Sequence, residues 1–129
     1  MQNYSHMTED KRVPGKHLVL DMYGVPESVF RDHHGMYTFL DKFPDKIGMT
    51  KVSAPHIVFF ENDAQTPPGI SGYIILAESH ISFHTWPDKS YVSLDVYSCK
   101  DFDTEDCVEK VKAFWKPGEE VRVQEIIRG

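Results

Sequence analysis

The stretch YVSLDVYSC, from Tyr91 to Cys99, alternates apolar and polar side chains with a period of two along its whole length. A helix would scatter Val92, Leu94 and Val96 around its circumference, whereas a strand lines them on one face. The segment therefore predicts a sheet whose one face is core and whose other face carries Tyr91, Ser93, Asp95, Tyr97 and Cys99. Further strands are predicted over Lys16–Tyr23 (KHLVLDMY), Val52–Phe60 (VSAPHIVFF), Ser71–Glu78 (SGYIILAE), Ile81–His84 and Val121–Ile127 (VRVQEII). Pro55 makes the start of the second of these an edge or a bend. Two helices are expected. One covers 26–42, opened by Pro26 and Glu27 and carrying an incomplete apolar stripe that Gly35 interrupts. The other runs from an Asp103 or Thr104 cap to about Trp115, with Cys107, Val108, Val111, Phe114 and Trp115 inward. Strands in succession with two helices point to an α+β fold, a two-layer α/β sandwich with an antiparallel sheet and the helices on one face. The other sheet face must then be wet, line a cleft or form a subunit interface.

A chain of 129 residues suits one domain. Fourteen Lys and Arg against twenty Asp and Glu give a net charge of −6 with no basic run, which argues against a nucleic-acid partner. The longest apolar stretches, such as Ile74–Ala77, fall far short of the roughly 20 residues a membrane helix needs, so no membrane partner is expected. Residues 1–15 (MQNYSHMTEDKRVPG) are polar, lack the apolar segment of an export signal and read as a flexible lead. The two cysteines, Cys99 and Cys107, form neither a disulfide framework nor a CxxC pair. They read as reduced thiols of a cytoplasmic protein, with Cys107 on the apolar stripe of the last helix.

The densest polar cluster is Glu78-Ser79-His80-Ile81-Ser82-Phe83-His84. In an extended chain His80, Ser82 and His84 share one face. Three readings stay open on these residues alone: a surface strand with incidental histidines, a metal site, or nucleophile chemistry with a serine, a histidine base and a nearby cysteine. No further ligand stands at a recognised metal spacing, so no metal is expected, and neither a G-x-S-x-G elbow nor a phosphate-cradling Gly-rich loop is present.

The run ISGYIILAESHISFHTWP followed by YVSLDVYSC resembles the processing region of the prokaryotic S-adenosylmethionine decarboxylase proenzyme family, and GKHLVLDMYG is similar to that family's first strand. The resemblance covers most of the chain, and its core is E-S-H-[ILV]-S-x-H-T-[WYF]-P with a cysteine twenty residues after the serine. It implies a pyruvoyl-dependent decarboxylase of polyamine biosynthesis, whose electron sink is a pyruvoyl group made from the chain's own Ser79. The Ser79 hydroxyl would attack the Glu78 carbonyl, and the resulting ester would eliminate, giving a β chain of 1–78 and an α chain of 79–129. The substrate amine would then form a Schiff base with the pyruvoyl ketone. The resemblance further implies that His84 and Ser71 act in processing and that Cys99 is the proton donor. Substrate contacts would come from Asp88, Glu78 and Leu76. The family's short forms assemble as homo-oligomers of β and α chains, (αβ)2, with sheets stacked face to face.

Two departures from the family pattern fall on nucleoside recognition. Asp88 stands where a glutamate normally clasps the ribose, and Gln65 stands where an aromatic residue normally stacks on adenine, a role Phe59 or Phe60 would have to assume. Relatives of this family decarboxylate arginine or ornithine, so a cationic amino acid is the alternative substrate. A non-catalytic activating paralogue would be expected to lose Ser79 or Cys99, and both are present.

Overall fold

The computed structural model describes residues 13–61 and 68–129. Gln65 and residues 1–12 of the lead lie outside them. In chain order the elements are β1 (Gly15–Met22), α1 (Glu27–Arg31), α2 (His33–Lys46), β2 (His56–Phe60), β3 (Gly69–Leu76), β4 (Ser79–Trp86), β5 (Tyr91–Ser98), α3 (Thr104–Trp115) and β6 (Val121–Arg128). The strands form one six-stranded sheet in the order β2-β3-β4-β5-β1-β6, antiparallel at every step.

Period-two alternation decides which face is core. Leu18, Leu20 and Met22 of β1, Ile81 and Phe83 of β4, and Val92, Leu94 and Val96 of β5 are all buried. They share one cluster with Phe39, Leu40 and Phe43 of α2 and Cys107, Val111 and Trp115 of α3. The helices therefore cover one face, as the pattern predicts. Trp115 is fully buried and meets Phe83 edge-on with ring centroids 4.9 Å apart. Burying a side chain of this kind contributes roughly 1.5–3 kcal/mol through its area. Gly72 makes room for that packing, because a Cβ there would come within 2.7 Å of the Phe83 ring.

Among the described residues there are three α-helices where two were expected. The predicted helix over 26–42 is broken at Asp32, whose carboxylate accepts the Gly35 backbone N–H at 2.8 Å and starts α2 as a separate helix. Gly35, read from sequence as an interruption, is what lets the cap close: a Cβ there would collide with the Asp32 carboxylate. The strand predicted from Val52 begins only at His56, because Pro55 cannot donate to a ladder. β4 starts at Ser79, two residues before the predicted Ile81, since Ala77-Glu78 form the whole turn of a two-residue hairpin that pairs Leu76 with Ser79.

Removing the cap tests this local account. Asp32→Ala is expected to lower stability by about 1 kcal/mol, read as a shift of the urea midpoint at unchanged slope. An unchanged midpoint would mean that α2 does not need its cap.

Candidate active site

Two groups of functional side chains stand at opposite ends of β4. The first surrounds the β3–β4 turn. The Ala77 N–H donates to the Thr50 carbonyl at 2.9 Å, and the Cys99 N–H donates to the Glu78 carbonyl at 3.1 Å. A turn that would otherwise project freely is thus tied down on both sides. The half-buried Ser79 donates its hydroxyl to Ser98 Oγ at 2.6 Å, and Ser98 Oγ also accepts the Lys100 N–H at 2.9 Å. The Glu78–Ser79 peptide therefore has its carbonyl polarised by a backbone donor while the next residue's hydroxyl is held by a fixed acceptor. Cys99 lies one residue past β5, half-buried, with Sγ 3.5 Å from the Tyr97 hydroxyl. A cavity of about 330 Å³ opens here, lined by Gly15, Lys16, Ser98 and Cys99 among others.

The second group lies where β4 ends. Ser71 of β3 and His84 of β4 are directly opposed in the ladder, with Ser71 Oγ 2.7 Å from His84 Nδ1. Trp86 follows on the same face and stacks on Tyr91 at 5.0 Å, which in turn stacks on Tyr23 at 4.9 Å. The Tyr91 hydroxyl donates to Asp21 at 2.8 Å, and burial together with that bond pushes the phenol up to about 12. Asp88 sits exposed in a single 3-10 turn, Pro87–Lys89, just beyond β4. A hollow of about 450 Å³ beside it is lined by Phe59, Phe60, Gly69, Ile70 and Pro87, among other residues.

Between the two ends the open face carries histidines. His80 stands opposite Tyr97, and His17 lies beside it with ring centroids 6.3 Å apart. Burial, then the neighbouring His17, hold His80 below the usual histidine range. His17 Nε2 is 3.9 Å from Asp95.

The geometry thus puts Ser79 and Glu78 beside Cys99 and pairs Ser71 with His84, with Asp88 following in the turn beyond β4. It keeps the two sets apart: five residues along an extended strand separate Ser79 from His84 by about 17 Å. Leu76 pairs with Ser79, so the two side chains share the helix-covered face, where that of Leu76 is buried in the core. Cys107 is fully buried, and burial pushes its thiol up to about 12, which leaves it a packing residue. Ser98 is the candidate site residue that sequence reasoning missed. It continues the buried series Val92, Leu94, Val96, and a serine at an apolar position was the available signal. Among the described residues no cluster of three potential metal ligands occurs, and no helix is long and apolar enough to cross a membrane.

Comparison with known proteins gives a consistent result. A family model described as S-adenosylmethionine decarboxylase matches residues 16–129. The S-adenosylmethionine decarboxylase proenzyme of Thermoplasma volcanium is 36% identical over 116 residues, covering 89% of this chain and 84% of that one. The proenzyme of the same name from Methanococcus vannielii is 32% identical, with 89% of both chains covered. Among solved structures, the adenosylmethionine decarboxylase of Aquifex aeolicus superposes with a TM-score of 0.68 at 28% identity, covering 89% of this chain and 90% of that one. With the hairpin, its serine and the cysteine beside it all falling inside the matched region, the chain belongs to the S-adenosylmethionine decarboxylase family, whose members are pyruvoyl-dependent carboxy-lyases.

Proposed function

We propose that this chain is a self-cleaving proenzyme that decarboxylates S-adenosylmethionine. The observation that carries the reading is the geometry of the Glu78–Ser79 peptide: its carbonyl accepts the Cys99 N–H while the Ser79 hydroxyl is held by Ser98. A donor already aimed at a carbonyl oxygen stabilises the charge that develops there when a nucleophile adds. Ser79 Oγ adds to the Glu78 carbonyl carbon. The C–N bond breaks as the nitrogen takes up a proton, and an ester joins Glu78 to Ser79 Oγ. Loss of the Ser79 Cα proton then expels Glu78 as a carboxylate, separating a β chain of 1–78 from an α chain of 79–129 that begins with dehydroalanine; its tautomeric imine takes up water and releases ammonia, leaving the pyruvoyl ketone.

Removal of that Cα proton needs a base at Ser79. His84, paired with Ser71, has the right chemistry but stands about 17 Å away along its own strand. A second copy supplies it if the open sheet faces stack about a two-fold axis perpendicular to the strands, which reverses strand direction and lays the Ser71–His84 end of one chain over the Ser79–Cys99 end of the other. The open face suits such burial, since Val58, Tyr73, Ile75 and Ile126 are exposed on it. The assembly we propose is (αβ)2, with each site built from both copies.

The residues around Ser79 fit the family's pyruvoyl group, which forms at this position and whose carbonyl withdraws electrons from the carbon that loses carbon dioxide. Cys99 then delivers its thiol proton to that carbon. Asp88 and Glu78 offer carboxylates to a cationic substrate, and Phe59 and Phe60 border the hollow beside Asp88. The net charge of −6 favours the approach of a cation.

A denaturing gel checks processing. The full-length chain is expected to resolve into fragments of 1–78 and 79–129, Ser79→Ala to remain whole, and Ser98→Ala to cleave at least about tenfold more slowly for want of its acceptor. A wild-type band that stays intact through long incubation contradicts the reading. Cys99→Ala should still cleave but turn over at least about a hundredfold more slowly, as loss of a positioned acid predicts; unimpaired turnover would refute the donor role. Carbon dioxide release from S-adenosylmethionine, arginine and ornithine identifies the substrate. Turnover of S-adenosylmethionine is expected, and turnover of an amino acid alone would overturn that assignment.

A further inference from the structure

We infer that Tyr97 is a positioning residue for Cys99, its phenol O–H holding the sulfur and supporting the charge left there when the thiol proton moves to substrate. The inference rests on the proton-donor role proposed above for Cys99. Tyr97 and Cys99 are two residues apart, and both belong to the open face of the sheet, where the Tyr97 hydroxyl reaches to 3.5 Å from Cys99 Sγ. In the resting thiol either group can donate. Once the proton has left, the sulfur can only accept, and the phenol is the donor beside it. A hydrogen bond to a charged acceptor is stronger than one between neutral groups.

Tyr97 is held in place from three neighbouring strands. Beneath it lies Gly15 of β1, where a Cβ would come within 2.7 Å of the hydroxyl, so the absent side chain is what seats the ring. Across it lies the Arg128 guanidinium of β6, 5.1 Å from the ring centroid. Beside it are the rings of His80 at 5.5 Å and His17 at 5.9 Å. The contact with Cys99, and secondarily burial, hold the phenol above its usual range, so it remains an O–H donor at neutral pH. The charged and titratable groups around the pair are His17 on β1, His80 on β4, Asp95 on β5 and Arg128 on β6, with Lys16, Lys100, Asp101 and Glu125 lining the cavity beside Cys99.

The test reads the thiol itself. In the uncleaved Ser79→Ala chain, the rate of iodoacetamide alkylation at Cys99 is followed by peptide mass, which separates it from the buried Cys107. Replacing Tyr97 by Phe keeps the ring and removes the donor. Alkylation at pH 7.5 is expected to slow by at least about threefold, with the deficit closing at high pH, because fewer sulfurs are ionised although each is more nucleophilic. Gly15→Ala keeps the phenol but displaces it, and is expected to give the same loss. An unchanged rate in Tyr97→Phe overturns the inference; if that variant loses its cooperative melt, the Gly15→Ala rate decides by the same rule. Turnover by Cys99→Ala, measured separately, tests the donor role. Full turnover there, with slowed alkylation in Tyr97→Phe, would leave the contact standing and overturn its part in catalysis.

Discussion

The antiparallel ladder between β4 and its neighbours fixes everything the site can do. It pairs Ser79 with Leu76 on one side and Ser98 on the other, and pairs His84 with Ser71 and Ser93. Because side chains alternate along a strand, slipping this register by one residue would turn Ile81 and Phe83 out of the core and His80 and His84 into it. The burial of Phe83 against Trp115 holds the register, so the core packing and the placement of the reactive groups are one constraint. The same ladder that delivers Ser98 to Ser79 forbids His84 from reaching it within the chain.

That separation gives the open sheet face its meaning. The helices cover one side of the sheet and leave the other with exposed Val58, Tyr73, Ile75 and Ile126 among histidines and tyrosines. A face of mixed apolar and titratable groups is costly to leave in water and equally costly to bury without partners. The proposed stacking of two such faces in opposite directions would answer both needs and complete two sites at once. The hydrogen bonds on the Glu78 carbonyl and the Ser79 hydroxyl are local to one chain, whereas the base is not. In the proposed (αβ)2 assembly, attack on the carbonyl and removal of the Cα proton would draw on different chains.

Much of this was legible from residue order. The alternation in Tyr91–Cys99 set the sheet faces and put Cys99 with Ser93, Asp95 and Tyr97, and its sulfur does lie 3.5 Å from the Tyr97 hydroxyl. The helical stripe of α3 assigned Cys107 to the core, where it is fully buried. What escaped notice depended on geometry that spacing alone does not display. Ser98 stands in an apolar series, and residue spacing does not display that its hydroxyl lies 2.6 Å from Ser79. The strand expected over Ile81–His84 stops short of Ser79, so the extended span that separates Ser79 from His84 shows only in the ladder. Gly35 looked like a helix flaw because the cap it admits, from Asp32, is visible only once α1 and α2 are seen as separate helices.

The central claim is that each site draws its serine from one chain and its histidine from another. Mixing Ser79→Ala chains with His84→Ala chains tests it most directly. Neither variant is expected to cleave alone, and in the mixture the His84→Ala chain should be cut at Glu78–Ser79, because its intact Ser79 meets the intact His84 of the partner subunit. A His84→Ala chain that cleaves by itself, or a co-folded mixture in which nothing is cut, would contradict the account.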